Sequence, residues 1–469
     1  MTRAVDQAVK AASTIIIPVE SQVRELDAKV LLAAVAAERG FPVVLGSRPY
    51  VSFALPGLPR GVFFAKSMRF TSDRMTRYIR AFGHHMVASD EESLVRFAHP
   101  DYYPWRFSEH TFSSLEHLFA WGQDDAEMLR GYPGRGDVAV HATGNPRTDL
   151  LRENVRRVFD DEAAQLRLDH GPFILVNTNF SFVNNFVPSL NLIQVEQQGE
   201  PQVSRTGRGM SLEFALGMAR HQQAIFDGFI DLMPRLARAF PQHTVVLRPH
   251  PSEDHERWRQ LTAEFGNVRV LHEGNVVPWL MAADVLLHNG CTTAVEGALL
   301  GIPAVSYQPV VSDDHDYHLP NGLSIQVNEA DAVLDAVAEV TSGRAAGVCE
   351  ERRRRILGRH VESTPDALAA DRIVDVLTDA GYLQRRPPPP SWGRYAQGWL
   401  GTHIRTLEKK INMRRQRHRN STAYLRHRFP PIDAAVVNGR LRRLAAVLGR
   451  FEGIAAQPLG QDLFTIGRR

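Results

Sequence analysis

The sequence predicts an α/β protein built from two Rossmann-like, doubly wound domains, followed by a basic helical C-terminal tail. Three observations carry that prediction. Short apolar runs alternate with helical stretches along most of the chain, the order expected of parallel sheets. The pattern starts afresh at GPFILVNTNF, so it occurs twice. At 469 residues the chain is also longer than one ordinary domain.

In the first half TIIIPV is a short buried strand, and LDAKVLLAAVAAERG is a helix closed by Gly40. FPVVLGS, GVFFAKS, HHMVASDE and LEHLFAWG read as further strands, and QDDAEMLRG as a helix. VAVHATGNP closes this half with Gly144, Asn145 and Pro146. A single charged helix, RTDLLRENVRRVFDDEAAQLR, is expected to lead into the second half. There FILVN is a strand, and residues 186–212, polar and irregular, are expected to form a mobile flap. The long helix EFALGMARHQQAIFDGFIDLMPRLARAF feeds the strand HTVVLRP. NVRVLHEG, the helix VVPWLMAA, the strand DVLLHNG, the helix TTAVEGALLG and the strand PAVSYQP follow. The expected boundaries are 1–150, 151–380, a stiff extended Pro-rich linker over 381–391, and a basic amphipathic tail over 392–469.

Hydrophobic residues make up 43% of the chain and charged residues 23%, proportions of a protein with real cores. Cys291 and Cys349 are the only cysteines, which excludes a disulfide framework and fits a reducing compartment. The N-terminus makes a poor signal peptide, and no apolar run could span a bilayer, so a cytoplasmic protein is expected. The net charge of +3 hides an asymmetry. Between Arg385 and Arg450 sixteen Lys or Arg face only Glu408 and Asp433, so the body before them is acidic.

Ligands of open parallel sheets gather at the carboxyl ends of the strands, and three such ends are unusually polar here. In VVLRPHPSED, two prolines stiffen the turn that presents His250. Arg248 could fork onto a phosphate, and Glu253 could accept from a sugar hydroxyl. In LLHNGCTTAVEG, His288, Asn289 and Gly290 precede a helix beginning near Thr292. Its open N–H groups suit phosphate, with Thr292 and Thr293 adding hydroxyls. Thr293 and Glu296 have capping-box spacing, so an ordinary cap competes with binding. In IIIPVESQVRELD, Glu20, Glu25 and Asp27, with Arg24 among them, follow the first strand. Each carboxylate is equally readable as a general base or as a solvated helix start. Asn177 and Asn179 of NTNF could bind substrate hydroxyls or stabilise a turn. Neither half carries GxGxxG after its first strand and GxxxxGK[ST] is absent, which weighs against a dinucleotide dehydrogenase and a P-loop enzyme. No metal-ligand constellation stands out.

The stretches IPVESQVRELDAKVLLA, FAWGQDDAEMLR, TGNPRTDLLR, LRPHPSED and ADVLLHNGCTTAVEGALLGIPAVSY span about residues 14–310. They resemble bacterial surface carbohydrate biosynthesis proteins of the GT-B glycosyltransferase superfamily. The resemblance implies two domains facing a central cleft, a nucleotide-sugar donor as substrate in the second and a glycan or lipid-linked glycan acceptor in the first. No metal or cofactor is implied. His250–Pro251 and Thr292–Thr293 are similar in type and order to motifs of sialyltransferases and Kdo transferases, which implies a CMP-linked ulosonic acid as one form of the donor. The acidic-acidic-Gly motif of those families has no counterpart upstream of RPHP, which leaves Glu20, Glu25 and Asp27 as candidates for the base. His250 would act on the departing phosphate.

Residues 392–450 mix aromatic and basic side chains, a composition suited to an anionic membrane surface. A merely solvated tail is the equal alternative, and no nucleic-acid-binding motif accompanies the charge. Two rival functions stay open: a non-hydrolysing sugar-nucleotide 2-epimerase, and an inactive module that binds glycan as a scaffold.

Overall fold

The computed structural model describes residues 12–195, 199–414 and 420–468. The chain forms two compact units. The first comprises the residues up to Ser93, Phe107–Val158 and those from Arg359 onward; the second comprises Leu94–Arg106 and Phe159–Gly358.

The first unit contains strands β1 (Thr14–Val19), β2 (Val43–Ser47), β3 (Gly61–Ala65), β4 (His85–Ala88), β5 (His117–Ala120) and β6 (Ala139–Ala142). They lie in the order β2-β1-β3-β4-β5-β6, all parallel. Pro18, which can donate nothing to a ladder, falls beyond the last β1–β3 pair, Ile16↔Phe63. The helix Gln22–Glu38 is buried at every position from Glu25 to Ala37. A helix apolar on all sides needs cover beyond its sheet, and the helices Ala369–Asp379 and Ala434–Leu448 pack against it.

The second unit contains β7 (Phe173–Asn177), β8 (Ile193–Gln194), β9 (Gln202–Val203), β10 (Thr244–Arg248), β11 (Val268–Val270), β12 (Val285–His288), β13 (Ala304–Tyr307) and β14 (Ile325–Val327). Its main sheet runs β11-β10-β7-β12-β13-β14, all parallel. Counted from β7 this is the 3-2-1-4-5-6 order of a Rossmann unit, with its switch point between β7 and β12. The 28-residue helix Leu212–Ala239, capped by Ser211, buries Phe226, Phe229, Leu232 and Leu236 against this sheet. Two doubly wound α/β units in one chain are the fold class the sequence predicts.

Several expectations are corrected. The charged helix after Asn145 is broken into a short turn, Pro146–Asp149, a 3-10 turn and a helix, Asp160–His170. Asp149 accepts from the amides of Ala369 (2.8 Å) and Ala370 (3.0 Å), so it caps another helix instead of continuing its own. The expected flap is anchored: β8 pairs with β9, Val187, Leu192 and Met210 are buried, and Trp105 Nε1 donates to the Thr206 carbonyl at 2.9 Å. Residues 196–198 of that stretch lie outside the described residues, as do residues 415–419 of the basic tail.

The tail is not an appendage. Over the Pro-rich stretch Ser13 N donates to the Tyr382 carbonyl (2.8 Å) and Arg386 Nε to the Ala12 carbonyl (2.9 Å). The helices Trp392–Asn412, Thr422–Arg428 and Ala434–Leu448 follow, and then β15 (Ile454–Gly460) and β16 (Leu463–Arg468). β16 pairs antiparallel with β2 and extends the first sheet to eight strands, β15 lying outermost. A Cβ at Gly46 would stand 2.5 Å from the Asp462 carbonyl, so only glycine admits this hairpin.

Candidate active site

The carboxyl edge of the second sheet gathers most of the polar residues singled out from the sequence. Arg248, Asn177 and His288 end β10, β7 and β12 at one register, Arg248↔Asn177 and His288↔Asn177. Neighbouring strands lie about 4.8 Å apart, so these three strand ends form one short row across the switch point.

The groups beyond that row are held tightly. His288 is fully buried; its Nδ1 accepts from the Gly290 amide (2.9 Å) and its Nε2 donates to Ser324 Oγ (2.8 Å). Burial pushes its pKa down to about 3, so it stays neutral and positions the loop. Asn289 Oδ1 accepts from the Asn179 amide (2.9 Å) and Nδ2 donates to the Asn179 carbonyl (3.3 Å), clasping the loops after β7 and β12 together. Gly290 adopts φ +84°, a left-handed conformation suited to glycine.

The helix Thr292–Leu300 starts at this clasp. Its N-cap is Cys291, which makes no side-chain capping bond. The expected Thr293–Glu296 capping box does not form: the Thr293 hydroxyl meets Cys291 Sγ, and Glu296 is buried one turn further on. The helix end therefore lacks a side-chain oxygen cap; only the weakly accepting Cys291 thiol faces the Thr293 and Ala294 amides, with Thr292 half-buried beside it. Asn177 is only 7% exposed, and its Oδ1 has no hydrogen-bond partner among the described residues. A buried acceptor without a donor costs stability, which marks this amide for a group that arrives with a ligand.

Two neighbouring assignments are corrected. The Arg248 guanidinium donates to the carbonyls of Glu273 (2.7 Å) and Gly274 (3.0 Å) and lies 4.7 Å from the centre of the Trp279 ring. Its fork is thus bound to the backbone of its own unit and not open to phosphate. Burial lowers its pKa to about 9, still cationic at neutral pH. Glu253, fully buried, accepts from Thr178 Oγ1 (2.8 Å), the His250 amide (3.0 Å) and Trp258 Nε1 (3.0 Å). It braces the His250 turn and is not open to a sugar hydroxyl. His250 is half-buried and its Nδ1 accepts from the Ser252 amide at 3.2 Å, which places the proton of the neutral ring on Nε2.

In the first unit, Glu20, Arg48 and Lys66 directly follow β1, β2 and β3 and meet in one ion cluster. Glu20 pairs with Arg48 (2.9 Å), Arg428 (2.7 Å) and Lys66. Although burial opposes it, these three cations hold its carboxyl well below the ordinary range. So firmly anionic a group is a weak base. Glu25 is fully buried, accepts from the Glu20 amide (2.9 Å) and lies near Lys66 (3.5 Å) and Arg24 (3.4 Å); its pKa is lowered too. Arg24 also pairs with Glu92 (3.2 Å). Asp27 is bound by Arg440 at 2.8 Å, one turn into the helix and away from the strand end. Arg48 and Lys66 were readable as first residues after strands; Arg428 gave no signal, because its partner is 408 residues away in sequence.

Among the described residues no group of His, Cys, Asp and Glu has the arrangement of a metal site. No family model matches the chain, and no curated protein matches it. Solved structures similar to it include a variant of the wall teichoic acid polymerase TagF soaked with CDPG. It has TM-score 0.49 and 10% identity over 80% of this chain and 89% of that one. S. aureus MnaA with UDP has TM-score 0.48 and 12% identity over 80% and 99%. Anabaena HepE with UDP-glucose has TM-score 0.42 and 11% identity over 78% and 100%. Likeness at these scores carries no argument about chemistry, which rests on the residues at the two sheet edges.

Proposed function

We propose that the protein is a glycosyltransferase of bacterial surface-polymer biosynthesis, transferring a sugar from a nucleotide donor to a hydroxyl of a glycan or lipid-linked glycan. The observation that carries this reading is the second unit's switch point. There a helix N-terminus without a side-chain oxygen cap stands beside a buried amide oxygen that lacks a donor. The first-turn N–H groups of the helix Thr292–Leu300 bind the donor's phosphate, and Asn177 Oδ1 accepts from a hydroxyl or amino group of the nucleotide or sugar. As the glycosidic bond breaks, negative charge grows on the phosphate. The helix end and His250 Nε2–H stabilise it, which lowers the barrier electrostatically. Phosphate is thus met by donors of the chain itself, and the transfer needs no metal in this reading.

Of the three carboxylates, Glu20 stands at a strand end and remains the one to orient the acceptor hydroxyl, as a hydrogen-bond acceptor. As the new glycosidic bond forms, the hydroxyl's proton passes to the departing nucleotide phosphate, which leaves carrying the electron pair of the broken bond. A CMP-linked ulosonic acid is one donor with the required phosphate; UDP-, GDP- and CDP-linked donors share it. Residues 392–450 hold the protein at an anionic membrane surface, where lipid-linked acceptors reside.

Titration calorimetry with CMP, UDP, GDP and CDP-glycerol tests the reading, one nucleotide binding clearly best. Binding of none would leave a scaffold; conversion of UDP-N-acetylglucosamine to its manno epimer would make the protein an epimerase. His250→Ala is expected to lower transfer by about a hundredfold or more with unchanged nucleotide-free stability. Full turnover in that variant removes His250 from the mechanism.

A further inference from the structure

The helix Trp392–Asn412 has two faces of opposite character. One is docked on the first unit. A Cβ on Gly398 would come within 2.8 Å of Ala81 Cβ, and one on Gly401 within 2.5 Å of the Tyr78 ring, so glycine lets the helix lie close against Asp73–Ala81. Tyr395 packs edge-on against Phe82 (5.3 Å), and Glu408, the helix's one acidic residue, pairs with Arg74 at 2.9 Å. The other face carries Trp392, Trp399, Leu400, Ile404, Leu407 and Ile411, exposed by 85%, 46%, 57%, 48%, 62% and 54%. At 100° per residue these six fall within an arc of about 140° opposite the two glycines. Large apolar side chains gathered on one exposed face mark an interaction surface.

We infer that this face is the part of the tail that enters the membrane, lying in the headgroup layer of an anionic bilayer with its axis along the surface. The inference deepens the membrane location proposed above and rests on it. Charge selects lipid as the occupant. No carboxylate lies on the arc, Lys410 sits within it, Lys409 follows the docked side, and the surrounding segment from Arg385 to Arg450 is strongly basic. Two copies paired through this face would bring those like charges together, whereas anionic headgroups complement them. Two tryptophans on the face suit the same layer, where amphipathic rings accumulate. No described helix is long and apolar enough to cross a membrane, so a helix about 31 Å long lies on the surface rather than through it.

The test uses the full chain and sedimentation with vesicles of equal parts phosphatidylcholine and phosphatidylglycerol. Wild-type protein is expected to pellet with these vesicles, to release at high salt, and to stay in solution with phosphatidylcholine alone. Trp392→Ser combined with Leu407→Ser and Ile411→Ser should weaken binding by roughly a hundredfold while the melting temperature and nucleotide binding stay unchanged. Should the triple variant fail to fold, exposed Lys410→Glu alone should weaken it roughly tenfold. A folded triple variant that pellets like wild type, or wild type that never pellets, overturns the inference. Self-association abolished by the same substitutions would assign the face to a second copy and also overturn it. Pelleting without any nucleotide binding would leave this inference standing and remove the glycosyltransferase reading.

Discussion

Asn177 and Asn289 end neighbouring strand-loop passages of one sheet and are used in opposite ways. Asn289 gives both ends of its amide to the Asn179 peptide, so it holds the switch point shut as a structural clasp. Asn177 keeps a buried oxygen without a donor. Replacing an unsatisfied buried polar group with an apolar one of similar volume is neutral or stabilising. Asn177→Leu is therefore expected to leave the unfolding free energy unchanged or raise it by about 1 kcal/mol, while nucleotide binding is lost in calorimetry. Lower stability with intact binding would show that the amide serves the fold instead. Asn289→Ala should do the reverse at the level of the fold, costing about 2 kcal/mol in chemical denaturation. The positions of Arg248 and His288 at strand ends, and of Glu253 in the turn after β10, were legible from the rule that polar residues after parallel strands face ligands. What each side chain grips was not. A guanidinium that meets two carbonyls and one that meets a phosphate look alike in one-dimensional sequence.

The last two strands are among the elements that sequence reading missed, and the reason is physical. The basic residues from Arg385 to Arg450 dominate the composition there and suggest a solvated tail. Beyond them IAAQPLG and LFTIGR flank a two-residue turn at Gln461–Asp462, a hairpin signal of modest length. A stronger clue lay elsewhere, in VLLAAVAA, where a helix apolar on every side demands a second cover. That cover is Ala434–Leu448 and the β15–β16 hairpin, which bury Val437, Leu441, Leu444, Phe464 and Ile466. At about 1.5–3 kcal/mol for each side chain, their loss is comparable to the whole stability of a domain, about 5–15 kcal/mol. A chain ending at residue 430 should accordingly lose the cooperative unfolding of the first unit, seen by calorimetry, and accumulate as insoluble protein. Recovery of a soluble chain with a wild-type melting profile would return the tail to the status of an appendage.

Each unit carries a buried histidine that folding keeps neutral, which links their acid behaviour. His84 in the first is 1% exposed, its Nδ1 accepting from the Gly61 amide at 3.3 Å, and burial brings its pKa down to about 4. His288 in the second falls to about 3. Unfolded, both titrate near 6.5. Between that value and the folded ones the unfolded chain binds more protons than the native chain, so stability rises with pH through the window. Their contribution is complete above about pH 6.5 and declines as the pH falls toward 4 and then 3. The lowered carboxylates Glu20 and Glu25 act in the same sense at lower pH: their stabilisation is present above the unfolded carboxylate range and disappears as the pH drops through their folded values. At pH 5 each histidine alone removes about 2 kcal/mol. The denaturant midpoint of the second unit should therefore fall between pH 7 and pH 5, before any carboxylate in the Glu20 cluster is protonated. In the first unit the fall is smaller, because burial raises the Asp149 carboxyl to about 6 and it gains a proton in the folded chain over the same interval. Midpoints that stay level across that interval would mean that these two rings are hydrated or already protonated in the native protein. Native His288 stays neutral through that interval, so the folded second unit should keep its nucleotide binding at pH 5; only near pH 3 would protonation end its acceptance from the Gly290 amide and release the loop that starts Thr292–Leu300.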